Sequence, residues 1–116
     1  MNRIDLTQAE WQLMEKLWDH APQTGRELTE AMAAQTGWNR STTLTLLRRL
    51  MEKGAVRCDA QGRKNVFYPA VRREDAAAQQ TRDLLGRVYN GSLSLLVSEM
   101  TKRETLPQRE IDELYA

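Results

Sequence analysis

Apolar residues return at helical spacing through the first fifty positions, switch to short β-branched and aromatic segments, and then return to helical spacing. Trp11, Met14, Leu17 and Trp18 set the first helical period. Ahead of them, "LTQAEW" places Thr7 to cap the helix and Glu10 to bond back to it, with Leu6 and Trp11 flanking as a hydrophobic staple. This helix should stop near His20, before "APQTG". A second capping box, "TGRE" from Thr24 to Glu27, launches a short helix with Leu28, Ala31 and Met32 inward, broken at Gly37. Asn39 then caps a third helix that runs to a glycine stop at Gly54. Beyond it, "AVRCDA" and "NVFYPA", separated by "QGRK", read as a β-hairpin with Gly62 in the turn and Pro69 at its end. From Arg72 the pattern predicts one long helix to about Asn90, a second after "NGS" and a last short one with Pro107 at its start.

Three helices followed by a hairpin predict a winged helix-turn-helix. The expected fold class is mainly α with a small β-hairpin wing, spanning residues 1–71, followed by a helical region over residues 72–116.

The third helix is an unusual composition for a helix. "WNRSTTLTLLRRLMEKG", Trp38 to Gly54, opens on middling or poor helix formers and puts arginines two turns later. At about 100° per residue, Arg48, Ser41, Thr45, Arg49 and Thr42 share one arc of about 120°. Leu46, Leu50, Thr43, Leu47, Met51 and Leu44 take the opposite side, which goes to the core. Small hydroxyls at the N-terminal end let a backbone approach base edges in the DNA major groove, and a threonine methyl can touch a thymine methyl. Arginines farther back reach bases or phosphates, and phosphate contacts fix register. Arg63 and Lys64 at the hairpin tip are placed for flanking phosphates or the minor groove. The plainer alternative is a solvated helix with ordinary first-turn hydroxyls. Thr43, in the apolar arc, can satisfy its hydroxyl on a carbonyl one turn earlier.

Charge separates the two readings better than composition does. The whole chain of 116 residues carries a formal charge of only +1. From Met1 to Trp38 there are three basic and six acidic residues, net −3; from Asn39 to Lys64, seven and two, net +5; from Asn65 to Ala116, seven and eight, net −1. The positive field is confined to the third helix and hairpin, the local footprint of a nucleic-acid binder. A single cysteine, Cys58, excludes an internal disulfide framework and fits a reducing compartment. No apolar run approaches the length of a membrane span and "MNRIDLTQAEW" lacks a signal-peptide core, so a soluble, cytoplasmic protein without membrane insertion is expected.

The stretches "LTQAEWQLMEKLW", "TGRELTEAM", "WNRSTTLTLLRRLMEKGAV", "GRKNVFYPAV" and "YNGSLSLLV" (Tyr89 to Val97) together resemble the BlaI/MecI/CopY penicillinase-repressor family of bacterial winged-helix regulators. That resemblance implies a homodimeric transcriptional repressor of the kind that regulates antibiotic resistance. Its N-terminal winged helix would bind half-sites of a palindromic double-stranded DNA operator, and residues 72–116 would dimerise. Family recognition positions fall on Ser41, Thr42 and Thr45, with Ser41 standing where lysine is frequent and Arg40 where proline is. In members that respond to β-lactams, a membrane sensor-protease system leads to cleavage at an Asn-Phe bond; the aligned pair here is Glu99-Met100. The paired Cys-x-Cys tail of the copper-responsive branch is absent from this sequence. The DNA-binding set expected is therefore Thr24, Trp38, Arg40, Ser41, Thr42, Thr45, Arg48, Arg49, Arg63 and Lys64.

In the C-terminal third, Leu85, Val88, Tyr89, Leu93, Leu96, Val97 and Met100 form an apolar series at helical spacing, extended by Ile111, Leu114 and Tyr115. So short a segment cannot build a sufficient core alone. It either folds back on the winged helix or pairs with a second copy, and the resemblance favours pairing. A dimer matches a palindrome whose half-sites lie about one helical turn (~34 Å) apart.

Other signals carry less. His20 and Cys58 make no metal-ligand set, so no metal or other cofactor is expected. Cys58 reads as a small half-buried strand residue or, with Arg57 beside it, as a redox switch. Trp38 can pack at the mouth of the third helix, direct its indole N–H at a phosphate, or do both. No phosphate loop or nucleophile–base set is present, so no enzyme is expected. The rival function is a winged-helix module that binds no specific DNA and docks a protein through the same helix, with Leu44 at the edge of the exposed arc helping to dock it.

Overall fold

The computed structural model describes residues 4–102 and Arg109. Its elements run α1 (Gln8–Asp19), β1 (Gln23–Thr24), α2 (Gly25–Thr36), α3 (Arg40–Lys53), β2 (Val56–Gln61), β3 (Lys64–Pro69), α4 (Arg73–Val88) and α5 (Leu93–Lys102). The expected helix starting at Pro107, with Ile111, Leu114 and Tyr115, lies outside the described residues.

Local chemistry sets the helix starts. Glu10 N–H donates to Thr7 Oγ1 at 3.1 Å and Thr7 N–H to Glu10 Oε1 at 2.8 Å. The same reciprocal pair forms between Thr24 and Glu27 at 3.1 and 3.0 Å. Thr42 N–H donates to Asn39 Oδ1 at 2.8 Å, opening α3. α3 ends at Gly54, whose φ of 82° is open to glycine at little cost. Ala55 N–H then reaches back to the Leu50 carbonyl at 2.9 Å, so the chain turns at once into the wing.

The hairpin is longer and tighter than the sequence pattern predicts. Gln61 pairs with Lys64, leaving Gly62 and Arg63 as the turn. Gly62 has φ 62° and Arg63 does not turn positive, the arrangement of a type II′ connection. Lys64 therefore opens β3 rather than sitting in the loop. Sequence reading missed β1. Gln23 and Thr24 pair with Phe67 and Val66, making a three-stranded antiparallel sheet in the order β1-β3-β2. Gln23 is buried, and its amide nitrogen donates to the Lys16 and His20 carbonyls at 2.9 and 2.7 Å. One side chain thus closes the C-terminal end of α1, where carbonyls lack helical partners.

The core is built from Leu13, Met14 and Leu17 of α1, Leu28 and Met32 of α2, and Leu46, Leu47 and Leu50 of α3, with Ala55, Val56 and Phe67. Trp11 and Trp18, expected on the inner face, are only partly buried and pack edge to face with ring centroids 5.0 Å apart. The Trp18 indole N–H donates to the Val71 carbonyl at 2.9 Å. Arg73 follows, making two-pronged hydrogen bonds to Glu15 at 2.9–3.4 Å, so the start of α4 is held to α1.

Thr43 departs from expectation. It is fully buried, and its hydroxyl has no hydrogen-bond partner among the described residues, not even the carbonyl one turn earlier. An unsatisfied buried hydroxyl costs roughly 1–3 kcal/mol. Thr43→Val, which replaces that oxygen with a methyl of similar size, is expected to stabilise the fold by about 1 kcal/mol, read as a higher urea midpoint at unchanged slope.

The chain separates into two compact units, one up to Ala76 and one from Ala77 on. In the second, α4 stops where Asn90 and Gly91 both take positive φ, 50° and 82°. Ser92 then caps α5 by accepting from Leu95 N–H at 3.2 Å.

Candidate nucleic-acid interface

α3 presents one face to the core and one to solvent, as its sequence dictates. Thr43, Leu46, Leu47 and Leu50 are buried; Arg40, Ser41, Thr42, Arg48 and Arg49 are exposed, and Thr45 is half-buried. The exposed face is not centred where the sequence arc puts it. An open cleft of about 480 Å³ runs along the stripe Arg40, Ser41, Leu44, Thr45 and Arg48. Thr42 and Arg49 are exposed beside that stripe rather than in it.

Leu44 stands where the two arcs meet, last of the apolar side and at the edge of the exposed one. Counted with the core side, it is 37% exposed and lines the cleft. A Cβ built on Gly25, the first residue of α2, would lie 3.7 Å from Leu44 Cδ2 and 3.8 Å from Phe67 Cε2. Leu44 therefore lies at the boundary of the apolar arc, against the start of α2, with its outer surface open. Helical spacing places Leu44 at that edge; how much of it stays open is set by the position of α2 and the sheet.

The remaining expected residues separate into distinct settings. Arg63 and Lys64 are exposed at the end of the hairpin. Lys64 also lines a second cleft, of about 350 Å³, with Thr24, Gly25, Arg26, Asn65 and Phe67. Thr24 is half-buried and its hydroxyl is already engaged in capping α2. Trp38 packs against the core, while its indole N–H has no hydrogen-bond partner among the described residues. Cys58 is exposed, not half-buried, on β2. Its neighbour Arg57 is turned toward other groups, 3.5 Å from Asp59 and 4.8 Å above the Tyr68 ring.

Electrostatics distinguishes the cations of this region. Arg40, Arg48, Arg49, Arg63 and Lys64 have no carboxylate within ion-pairing distance among the described residues, whereas Arg26, Lys53, Arg57, Arg72 and Arg73 each do. Lys53, the last residue of α3, is committed inward. Its ammonium donates to Glu10 Oε1 at 2.6 Å and to the Asp5 carbonyl at 2.7 Å. Burial pushes the Glu10 carboxyl up, but the Lys53 hydrogen bond and the Thr7 amide and hydroxyl more than offset it and hold it below the usual carboxylate range. Unpaired cations thus line the cleft stripe, its rim and the wing, where Lys64 adds to the Thr24 hydrogen bonds in lowering the Glu27 carboxyl without an ion pair. Lys16, Arg82 and Arg87, elsewhere, are also without an ion pair among the described residues.

The apolar series of the second unit is partly displayed. Val88, Leu93 and Met100 are 53, 54 and 38% exposed, and Leu95, absent from the expected series, is 54% exposed. Leu85, Tyr89 and Leu96 are half-buried, and Val97 is already buried at 4% exposure. Among the described residues no helix is long and apolar enough to cross a membrane, and no group of three or more candidate ligands could hold a metal ion.

Against known proteins, residues 6–116 match the family described as penicillinase repressor. The chain belongs to the penicillinase-repressor family. It is 30% identical over 110 residues to the penicillinase repressor of Bacillus licheniformis, covering 95% of this chain and 86% of that one. It is 27% identical to the methicillin resistance regulatory protein MecI of Mammaliicoccus sciuri, covering 95% of this chain and 89% of that one. Among solved structures, it is similar to the DNA-binding domain of the repressor BlaI. It is equally similar to the monomeric form of Bacillus licheniformis BlaI in complex with the blaP half-operator. Both superpose with a TM-score of 0.58 at 29% identity, over 65% of this chain and 93% of theirs. This member of the penicillinase-repressor family is accordingly a winged helix, and the family is one of transcriptional repressors.

Proposed function

We propose that this penicillinase-repressor family member is a homodimeric repressor that binds a palindromic operator, with residues 39–53 in the major groove and the wing, 55–70, on the flanking backbone. The observation that carries the reading is the group Arg40, Arg48, Arg49, Arg63 and Lys64, exposed and without carboxylate partners, around the hydroxyls of Ser41, Thr42 and Thr45. Unpaired guanidiniums and ammonium groups are what a phosphate backbone neutralises, with counterion release as the driving term. Ser41 and Thr45 supply base-edge contacts, Trp38 directs its indole N–H to a phosphate, and Thr24 with Lys64 flanks a further one. The likeness to a BlaI structure in complex with a half-operator supports DNA binding by this winged helix.

Residues 1–71 serve as the DNA-binding part and 72–116 as the dimerisation part. Val88, Leu93 and Met100, with the half-buried Leu85, Tyr89 and Leu96, are the face that a second copy covers; Val97 supports it from beneath. The protein acts in the cytoplasm. A membrane sensor-protease system that controlled it would need a specificity other than Asn-Phe, because the aligned pair in α5 is Glu99-Met100.

A salt-titrated selection of purified protein on fragmented genomic DNA tests the reading. Enrichment of a short palindrome, with affinity falling steeply as salt rises, is expected. Negligible DNA affinity at physiological salt would replace it with the rival, a module that docks a protein partner on the Leu44 cleft.

A further inference from the structure

We infer that Leu44 is a specificity-determining residue that reads a thymine methyl, so that the operator half-site carries a required thymine opposite the middle of α3; this rests on α3 being the helix that enters the groove. Leu44 is the only large apolar side chain exposed among the described residues up to Ala76, the others being Val88, Leu93, Leu95 and Met100. It sits between Arg40 and Arg48, one helical turn away on either side. Neither arginine has a carboxylate partner among the described residues. Ser41 and Thr45 complete the stripe.

An apolar group surrounded by cations and hydroxyls selects its partner narrowly. A protein surface able to cover Leu44 with carbon would also have to neutralise Arg40 and Arg48. The major groove offers both together: phosphates along its edges and, at one base of the four, a C5 methyl group. Apart from the C5–H of cytosine, which is smaller by a methyl, the other groups presented there are donors or acceptors, which a leucine cannot satisfy and would desolvate. The start of α2, against which Leu44 Cδ2 lies, backs the side chain on one side and leaves its outer surface to face the groove.

The experiment uses the full chain and duplexes of the enriched palindrome in which each thymine is replaced in turn by deoxyuridine, removing the C5 methyl and leaving base pairing intact. At one thymine per half-site the wild-type protein should lose roughly fourfold in affinity, the fold-change equivalent to burying one methyl group. Leu44→Ala should bind the thymine and uracil duplexes alike at that position. Leu44→Met, which keeps an apolar tip, should retain the preference. Leu44→Met should melt with the parent, and Leu44→Ala, which loses its packing on the start of α2, a few degrees lower but still folded at the assay temperature, which circular dichroism verifies.

Indifference of the wild-type protein to every thymine-to-uracil exchange would overturn the assignment, as would a Leu44→Ala protein with an undiminished thymine preference. In both cases specific binding by α3 would stand. A selection that enriches no sequence overturns the groove reading itself, and this assignment with it.

Discussion

Arg48→Glu is expected to lower affinity for the enriched palindrome on the order of a thousandfold at physiological salt. Arg48 is exposed, lines the Leu44 cleft and has no carboxylate partner among the described residues, so the change removes nothing that holds the fold. In a dimer it deletes one cation from each half-site and puts a carboxylate in its place. Each phosphate contact contributes about 0.9 to the slope of log affinity against log salt, so losing two should flatten that slope by about 1.8. The repulsion of the new carboxylates roughly doubles the loss. Arg48→Ala should show the same flattening with a smaller loss of affinity. Fluorescence anisotropy at several salt concentrations reads both quantities. A variant that binds as tightly as the parent, with an unchanged slope, would move DNA off this face of α3.

Lys53→Met is expected to leave DNA chemistry alone and weaken the fold. Glu10 is 1% exposed and Lys53 34% exposed, and their bond at 2.6 Å joins the last residue of α3 to the first turn of α1. Removing one partner of a buried pair costs roughly 3–5 kcal/mol, and the partial exposure of Lys53 places this one near the lower end, at about 3. Its pH dependence is diagnostic. In the parent, Glu10 lies below its ordinary value of 4.5, so its contribution is complete above that pH and is lost as pH falls through the lower, folded value. In Lys53→Met only the Thr7 amide and hydroxyl still oppose the burial, so the carboxyl rises from its position in the parent. The penalty is then full at neutral pH and shrinks as acid neutralises Glu10. Urea unfolding of both proteins between pH 4 and 7 should therefore show curves that converge toward the acid end. Parallel curves would mean that Glu10 is not held as an ion by Lys53.

Much of the fold is legible in the chain because its determinants are local. Thr7 with Glu10, Thr24 with Glu27, and Asn39 each cap a helix within four residues of themselves, and Gly54 and Gly62 mark turns whose φ they alone adopt cheaply. The exposure of Ser41, Thr42, Arg48 and Arg49 follows from helical spacing against the buried leucines, whereas Arg40 lies at the angle of the apolar side and is exposed at the first position of α3. What the pattern could not show depends on contacts between distant segments. β1 is two residues long and exists only because Phe67 and Val66 lie beside Gln23 and Thr24.

The sequence by itself determined the order of elements, the basic middle segment and the polar face of α3, because capping, period and charge are properties of neighbouring residues. Tertiary structure decided which cations are spent and which remain free. Lys53 and Arg48 lie on one helix with the same formal charge, yet only Lys53 meets a buried carboxylate, Glu10, from the other end of the domain. It also decided how much of Leu44, at the edge of the polar arc, stays open, and that Thr43 is buried with its hydroxyl unpaired among the described residues. Helical spacing assigns an angle around one axis; burial is set by what packs against that angle, and the packing partners come from far along the chain.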